Sequence, residues 1–349
     1  MSTRGNFEGR WALPPLAVTM GEPTGIGIEI TLKAWLRRAS NDPPFFVVGD
    51  PERLDTLARK LGLDVPIRTI SVAEEATATF ETALPVLVEA LDVPAVYGRL
   101  DPANSGCVRR CIEKAVDLTV KGQASAVITN PIHKHVMHQA GFTFPGHTEF
   151  LGHLGGRRER PVMMLASPGL RVVPVTIHLG LLDAINSLTT SLIIETCQVL
   201  EPALRVDFAL KNPRLSVSGL NPHAGEGGTF GDEENRIIEP AISALRQGGM
   251  SVSGPHAADT MFSERNRKHF DAAVCMYHDQ ALIPIKALDF DRTVNVTLGL
   301  PFVRTSPDHG TACDIAGTGK ASEESLVSAL GMAAEMALAR AIPRAVHNS

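Results

Sequence analysis

Short apolar runs rich in β-branched residues alternate along the chain with longer segments whose apolar residues recur every three or four positions. The first pattern is typical of buried strands and the second of amphipathic helices. Strands alternating with helices indicate an α/β fold around a mostly parallel sheet. The predicted strands are Leu16–Thr19, Phe45–Val48, Ala124–Thr129, Val172–Ile177, Arg214–Ser218, Ala272–Tyr277 and Thr293–Leu298.

Three of the predicted helices have a clear apolar face, and each face has the spacing expected when one side of a helix packs on a sheet. The faces consist of Val108, Ile112, Ala115 and Thr119, of Ile238, Ala241, Ile242 and Leu245, and of Leu326, Leu330, Ala333 and Ala337.

The chain has 349 residues, which is more than one hydrophobic core usually organises, so two lobes are expected. The composition does not shift abruptly, and the boundaries are predicted near 129–131 and near 284–288. Residues 14–130 and 289–342 then form one lobe, and residues 131–288 form the other.

The formal net charge of −5 argues against a nucleic acid or an acidic membrane as partner. No apolar run approaches the roughly 18 residues needed to cross a bilayer. The first residues lack the apolar segment of a signal peptide, so a cytoplasmic protein is expected. The five cysteines form no Cys-x-x-Cys framework and are predicted to be reduced thiols, mostly in the core.

Polar residues follow several predicted strands directly, and three of them are histidines, His178, His223 and His278. Ligands of open parallel sheets bind beyond the carboxyl ends of the strands. Three imidazoles with one open coordination position are typical of a catalytic metal site. A single strand-end histidine more often hydrogen-bonds to backbone, but three in equivalent positions favour a metal.

Asp259 has two interpretations that the sequence does not separate. Its carboxylate could bind the metal or orient a metal-binding histidine. It could equally be the N-cap of a short helix that continues through Thr260.

A second set of residues is suited to binding phosphate or carboxylate oxygens. His147 and Thr148 follow a glycine at the start of a helical pattern, although Thr148 could simply cap that helix. Lys286, Asn295 and Arg304 lie on or beside one predicted strand. A polar Asn295 inside an apolar alternation indicates either a polar cleft or an unusual core partner. The alternative for Lys286 and Arg304 is two solvated surface cations.

Two glycine-rich stretches are candidates for cofactor binding. Residues 21–27 follow a strand but lack the G-x-G-x-x-G spacing of a Rossmann turn. Residues 308–319 contain more glycines and polar groups than a simple connection needs. They could surround an adenosine or a phosphate, or form a long loop before the last helix.

Several blocks of the chain resemble the 4-hydroxythreonine-4-phosphate dehydrogenase family of the vitamin B6 pathway. The blocks appear in the family's order between about residues 17 and 320. They read MGEPTGIGIEI, ITNPIHK, FPGHTEFLG, GLNPHAGEGG, MYHDQALIPIK and VNVTLGLPFVRTSPDHGTACDIAGTG. Relatives commonly have Asp where this chain has Glu22 and Pro where it has Ile28. These two differences affect only the detail of the cleft edge.

The resemblance implies two α/β/α lobes similar to those of isocitrate and isopropylmalate dehydrogenases. It also implies a homodimer in which the partner subunit completes each active site. His178, His223 and His278 match the family's ligands for one divalent ion, such as Zn, Mg or Co. His147, Thr148, Lys286, Asn295 and Arg304 match its substrate-binding positions.

The resemblance also assigns the second glycine-rich stretch to the NAD or NADP adenosine. The matching residues are His309, Gly310, Thr311, Asp314 and Gly317. The lobe of residues 14–130 and 289–342 is then the NAD-binding side, and the lobe of residues 131–288 is the side of the metal and the dimer contact.

The implied reaction is NAD-dependent oxidation of 4-phosphooxy-L-threonine to 2-amino-3-oxo-4-phosphooxybutanoate. This product loses CO2 to give 3-amino-2-oxopropyl phosphate, in pyridoxine 5′-phosphate biosynthesis. Lys286 and Asp259 are the candidates for the group that removes the alcohol proton.

Three other functions stay open. Relatives with nearly the same residues act on threonate phosphate or on cyclic dihydrodiols. A metal-dependent phosphohydrolase would use a similar set of histidines and acids, and a non-catalytic phosphometabolite-binding protein would use the same anion-binding residues.

Overall fold

The computed structural model describes residues 11–144, 146–156 and 160–342. These residues divide into two compact units. The first unit runs up to Arg160 and resumes at Leu300, and the second comprises Pro161–Gly299. Both units are built from strands and helices in alternation, so the α/β fold class is confirmed.

The strands, in chain order, are β1 (Leu16–Thr19), β2 (Phe45–Gly49), β3 (Ile67–Ile70), β4 (Leu84–Val88), β5 (Val127–Thr129), β6 (Val162–Ser167), β7 (Leu170–Pro174), β8 (Arg214–Ser218), β9 (Ser251–His256), β10 (Ala272–Cys275), β11 (Val294–Leu298) and β12 (Arg304–Pro307).

The α-helices are α1 (Gly27–Leu36), α2 (Pro51–Leu61), α3 (Glu75–Phe80), α4 (Ser105–Val120), α5 (Lys134–Gln139), α6 (His147–Leu154), α7 (Leu181–Ser187), α8 (Thr190–Asp207), α9 (Glu239–Gln247), α10 (Ala258–Met261), α11 (His278–Asp289) and α12 (Glu324–Ala341). A π-helical turn, Glu234–Ile238, precedes α9.

The first unit is organised around a parallel sheet with strand order β3-β4-β2-β1-β5-β12. Its central strands are buried along their whole length, as expected for a sheet with helices on both faces. Helix α2 illustrates the local signals: the Asp50 carboxylate accepts a hydrogen bond from Arg53 N, and the helix ends at Gly62 with φ 64°.

The second unit contains strands in the order β11-β6-β7-β10-β8-β9. Strand β6 is antiparallel to both of its neighbours, and the remaining strands are parallel to one another. Because β7, β10 and β8 are adjacent and parallel, their carboxyl ends lie at the same edge. The core beneath them includes Leu165, Val172, Ala273, Leu282 and Ile285.

All of the predicted strands are present, with β5, β7 and β10 shorter than expected, and the three predicted helical faces are confirmed. The prediction was incomplete because some strands lack an apolar β-branched signal. In β12, Arg-Thr-Ser-Pro is fully buried although it is polar, and β9 contains Gly254 and Pro255. The unpredicted strands are β3, β4, β6, β9 and β12.

The units divide at residues 160 and 300, whereas the sequence placed the boundaries near 130 and 288. The difference has two causes. Helices α5 and α6 follow β5 but pack in the first unit, where α6 contacts α4. Strand β11 pairs with β6 and so belongs to the second unit.

All five cysteines are free, and four of them are buried, which confirms the prediction of reduced thiols in the core. None of the described helices is long and apolar enough to cross a membrane.

Candidate active site

His178 and His278 are brought together by the pairing of β7 with β10. The segments after these strands continue to pair, since Val175 N donates to Cys275 O at 2.8 Å and Thr176 Oγ1 donates to Met276 O at 2.8 Å. The two imidazole centroids are 6.0 Å apart. The chain topology therefore places two of the three candidate metal ligands side by side.

The tautomer of His278 suits a metal ligand. Its Nδ1 is 2.7 Å from Oδ1 of Asp279, so Nδ1 carries the proton that the carboxylate accepts. In the neutral imidazole Nε2 then keeps its lone pair, which is the arrangement of metal-binding histidines oriented by a carboxylate. A pair of neighbouring imidazoles, one oriented in this way, fits part of the donor set of a zinc or related divalent ion.

His223 lies on a different part of the same unit, in the 3-10 segment Pro222–Gly228. Its backbone is left-handed, with φ 52°, and its ring is 5.9 Å from that of Phe230. Within the described residues of this single chain, no three His, Cys, Asp or Glu side chains are close enough to hold a metal. One chain therefore places the imidazoles of His178 and His278 side by side and the imidazole of His223 apart from them.

Gln280 connects the segments that carry these histidines, and the sequence prediction missed it. Its side-chain oxygen accepts hydrogen bonds from Ser218 Oγ at 2.6 Å and Met276 N at 2.7 Å. Its amide donates to Gly219 O at 2.7 Å. A buried amide that joins the ends of β8 and β10 fixes the edge from which the histidines project. Its position directly after His278-Asp279 was the available signal.

Asp259 is exposed in the first turn of α10. The N-cap of that helix is Ala257, so the alternative in which Asp259 is the N-cap is wrong. An exposed carboxylate at this position remains free to reach a ligand or a histidine.

Lys286 and Asn295 also lie in the second unit. Lys286 is half-buried on α11, and its Nζ is 5.6 Å from the ring centroid of Phe290. Asn295 is the partly exposed residue of β11, whose other residues are buried. Partial exposure is compatible with a polar cleft, which is one of the two environments predicted for Asn295.

Arg304 is buried in the first unit, where it is 3% exposed and donates from Nη2 to Thr129 Oγ1 at 2.6 Å. Burial lowers the pKa of its guanidinium to about 10. The interpretation of Arg304 as a solvated surface cation is therefore wrong. A guanidinium withdrawn from water is stabilised by an anion, and its planar fork suits phosphate or carboxylate.

His147 begins α6 and lies near the positive charges of Arg304 and Lys134. Burial, followed by the charges of Arg304 and Lys134, lowers the pKa of His147 well below its usual value, so the ring is neutral near pH 7. Its Nε2 is enclosed and has no hydrogen-bond partner among the described residues. A neutral imidazole here can donate to an anion bound at the start of the helix.

Thr148 lies in the first turn of α6 and is not its cap, because the N-cap is Gly146. Pro145 lies outside the described residues. Lys134 was not selected from the sequence, yet a Cβ added to Gly146 would be 3.4 Å from its Nζ. Lys134 therefore adds a cation beside His147 and Thr148.

Residues 308–319 form a loop held against the first turn of α1. Ile26 N donates to Thr311 O at 3.0 Å. The carboxylate of Glu29, which is fully buried, accepts hydrogen bonds from Gly317 N at 3.1 Å and Ala321 N at 3.0 Å. Lys33 donates to Gly319 O at 2.8 Å. The side chains of Glu29 and Lys33 on α1 therefore hold the loop in place, and the sequence prediction missed both.

The other side of this loop offers groups to a ligand. Gly310 and Asp314 are exposed, and His309 and Thr311 flank Gly310. A Cβ at Gly310 would meet no atom within 4 Å, so there is open space beside it. An exposed carboxylate is the group that accepts a ribose hydroxyl in other dinucleotide sites. These residues fit an adenosine.

Tyr97 supports the loop at its glycine end. A Cβ at Gly317 would be 2.9 Å from Cγ of its ring, and Gly317 has φ 69°. The guanidinium of Arg53 stacks on the ring at 3.5 Å. Burial raises the pKa of Tyr97 to about 12. Only glycine satisfies both the left-handed backbone and the close ring at position 317.

Comparison with known proteins shows the family of the chain. The family model described as pyridoxal phosphate biosynthetic protein PdxA matches residues 41–333. A 4-hydroxythreonine-4-phosphate dehydrogenase of Bradyrhizobium diazoefficiens is 52% identical over 341 residues, which cover 94% of this chain and 99% of that protein.

Two solved structures are also similar. A 4-hydroxythreonine-4-phosphate dehydrogenase from Klebsiella pneumoniae has TM-score 0.84 at 38% identity and covers 93% of this chain and 99% of that one. A terephthalate 1,2-cis-dihydrodiol dehydrogenase from Burkholderia xenovorans LB400 has TM-score 0.62 at 29% identity and covers 93% and 98%. The chain thus belongs to the PdxA family of 4-hydroxythreonine-4-phosphate dehydrogenases.

Proposed function

We propose that this chain is a metal-dependent dehydrogenase that uses NAD or NADP to oxidise 4-phosphooxy-L-threonine. The product, 2-amino-3-oxo-4-phosphooxybutanoate, decarboxylates to 3-amino-2-oxopropyl phosphate on the route to pyridoxine 5′-phosphate. The observation that carries the proposal is the juxtaposition of His178 and His278, with His278 oriented by Asp279.

The metal ligands of the proposed site are His178, His223 and His278. A divalent ion held by imidazoles would lower the pKa of the substrate alcohol and stabilise the charge that forms as CO2 leaves. Asp279 would keep Nε2 of His278 unprotonated. Gln280 would hold the two strand ends at a fixed separation.

Phosphate binding is assigned to cationic side chains and to side chains that can donate hydrogen bonds. Arg304, His147 and Thr148 in the first unit, and Lys286 and Asn295 in the second, are the proposed substrate contacts. Lys134 is added to this set because of its position beside Gly146. Fixing the phosphate would hold the carbon skeleton in a reactive orientation.

NAD or NADP, held by its adenosine against the residues of loop 308–319, would supply the acceptor for the hydride of the C3 carbon. The hydroxyl proton passes to a base of the chain, for which Lys286 and Asp259 are the candidates. Lys286 is half-buried beside Phe290, and Asp259 is exposed. Asp259→Asn and Lys286→Met, each assayed for kcat across pH, would distinguish them.

A homodimer with a shared site is supported by exposed apolar residues on α7, which follows His178, and at the end of α11, which begins at His278. Leu182 follows His178 in α7 and is 70% exposed, and Phe290 ends the helix that begins at His278 and is 69% exposed. Leu179 and Leu181 are exposed as well as Leu182, and groups of exposed apolar side chains mark interaction sites more often than single ones do. A second copy would cover them and add the ligand that one chain does not place beside the His178–His278 pair.

The decisive assay follows NADH absorbance with 4-phosphooxy-L-threonine, with and without a chelator. Turnover that the chelator removes, and that added Zn, Mg or Co restores, supports the proposal. Faster turnover of threonate 4-phosphate or of a cis-dihydrodiol would instead assign one of those substrates.

The Klebsiella structure is more similar to this chain than the dihydrodiol dehydrogenase, which favours the phosphorylated substrate. Phosphate release without NAD would indicate a phosphohydrolase.

A further inference from the structure

The loop that carries His223 has an unusual backbone. His223, Ala224, Gly225, Glu226 and Gly227 follow one another with φ of 52°, 53°, 77°, 41° and 65°. Side chains disfavour this left-handed region, and three of these residues are not glycine. Such a conformation persists only when surrounding contacts impose it, and it is found most often at functional sites.

The contacts that impose it converge on the carboxylate of Glu234. Its Oε1 accepts hydrogen bonds from Leu220 N and Asn221 N, both at 2.8 Å. Its Oε2 accepts from Asn221 Nδ2 at 2.9 Å. One side chain therefore satisfies three donors of the segment that leads into His223.

Glu234 is only 2% exposed, and no cation pairs with it in the part of the chain that the structure describes. Its charge is balanced by amide donors alone. A buried carboxylate requires such hydrogen bonds, and breaking them leaves an unpaired charge. Glu234 also opens the π-helical turn Glu234–Ile238, a form that often marks functional sites.

The loop is fitted closely around this carboxylate. A Cβ at Gly225 would lie 2.6 Å from Oε2 of Glu234, and a Cβ at Gly219 would lie 3.1 Å from Oε1. Glycine at both positions lets the backbone approach the oxygens. The sequence GLNPHAGEGG is thus shaped to enclose Glu234, which comes several residues later in the chain.

We propose that Glu234 is a positioning residue for His223, holding the left-handed loop in the conformation that presents its imidazole to the metal. This inference rests on the proposed metal site. Without the carboxylate, the loop would relax toward right-handed conformations. The fraction of molecules competent to bind metal would fall, and apparent affinity falls in proportion to that fraction.

The test is titration of the metal-free full-length protein with CoCl2, followed by the visible absorption of bound Co2+. We expect Glu234→Ala to raise the Kd for Co2+ by roughly 10- to 100-fold, as for other residues that orient ligands, and to change the spectrum. Glu234→Gln should have a smaller effect, because one oxygen can still accept from both backbone amides. Glu239→Gln, an exposed carboxylate on the adjoining helix, is the matched control.

Thermal unfolding of the metal-free variants separates positioning from stability, since a purely structural role would lower the Tm and leave the spectrum of folded protein unchanged. An unchanged Kd and spectrum in folded Glu234→Ala overturns the inference. If that variant does not fold, Glu234→Gln decides, and wild-type Co2+ affinity with a wild-type spectrum again overturns it. If the wild-type chain itself takes up no Co2+, the metal site of the proposed function fails, and the role of Glu234 fails with it.

Discussion

The buried carboxylate of Glu29 accepts a hydrogen bond from the backbone amide of Gly317, a residue 288 positions later in the chain. A second bond, from Ala321 N, and the ion pair with Lys33 complete the contact. The first turn of α1 thereby sets the shape of the loop proposed to hold the NAD adenosine.

Glu29→Gln should therefore weaken NAD binding more than substrate binding. Hydrogen bonds to a charged group contribute about 1.5–3 kcal/mol, so a roughly tenfold or larger rise in the KM for NAD is expected. Steady-state kinetics with each substrate varied in turn would measure it. Glu52→Gln, an exposed carboxylate in the first turn of α2, should leave both KM values unchanged. Equal rises in both KM values would contradict the role of Glu29.

His223→Ala should abolish turnover while the fold is kept. The side chain is exposed, so its removal creates no cavity in the core. Metal content by elemental analysis and NADH formation would check this, with circular dichroism as the control for folding. A normal metal content with a near-normal rate would remove His223 from the site.

Arg304→Ala should raise the KM for the phosphorylated substrate by roughly a hundredfold, from the loss of a buried charge-assisted contact of about 2–3 kcal/mol. The KM for NAD should change much less. Some loss of stability is expected as well, because Thr129 loses its partner. Arg59→Ala removes an exposed cation on α2 and is the control variant for the substrate KM. An unaltered substrate KM would reject anion binding by Arg304.

The stability of the protein should fall on acidification partly because of His147. Its folded pKa lies well below the unfolded value near 6.5, so below that pH the unfolded chain binds more protons than the folded one. This stabilisation is complete above about pH 6.5 and is lost as the pH falls toward the folded pKa, by at most about 1.4 kcal/mol per pH unit.

Urea unfolding of His147→Gln between pH 7 and pH 5 would measure this contribution, and we expect a weaker pH dependence than in the wild type. His135→Gln, an exposed histidine on α5, should retain the wild-type dependence. If the free energy of unfolding depends on pH equally in the wild type and in His147→Gln, the fold does not keep the imidazole neutral.

Gly317→Ala should destabilise the first unit. The left-handed backbone alone costs a side chain about 1–2 kcal/mol, and the new Cβ would lie 2.9 Å from the ring of Tyr97. Gly310→Ala, in the same loop, has open space and should be nearly neutral. Chemical denaturation of the two variants would compare them directly, and equal stabilities would contradict the close packing on Tyr97.

The sequence by itself determined the fold class, the order of the central strands along the chain and the identity of most candidate site residues. Apolar β-branched runs and helical periodicities are local signals, because they depend on residues a few positions apart. For the same reason, polar residues directly after strands could be recognised as candidates before their neighbours were known.

Only the tertiary structure decided which of those residues meet. The adjacency of β7 and β10 brings His178 beside His278, although they are separated by a long stretch of chain. Glu29 and Glu234 carry no local signal of their role, since a buried polar side chain is identified by the distant groups that it contacts. Strand β12 was missed for the same reason: its polar residues become buried only through neighbours supplied by the rest of the fold.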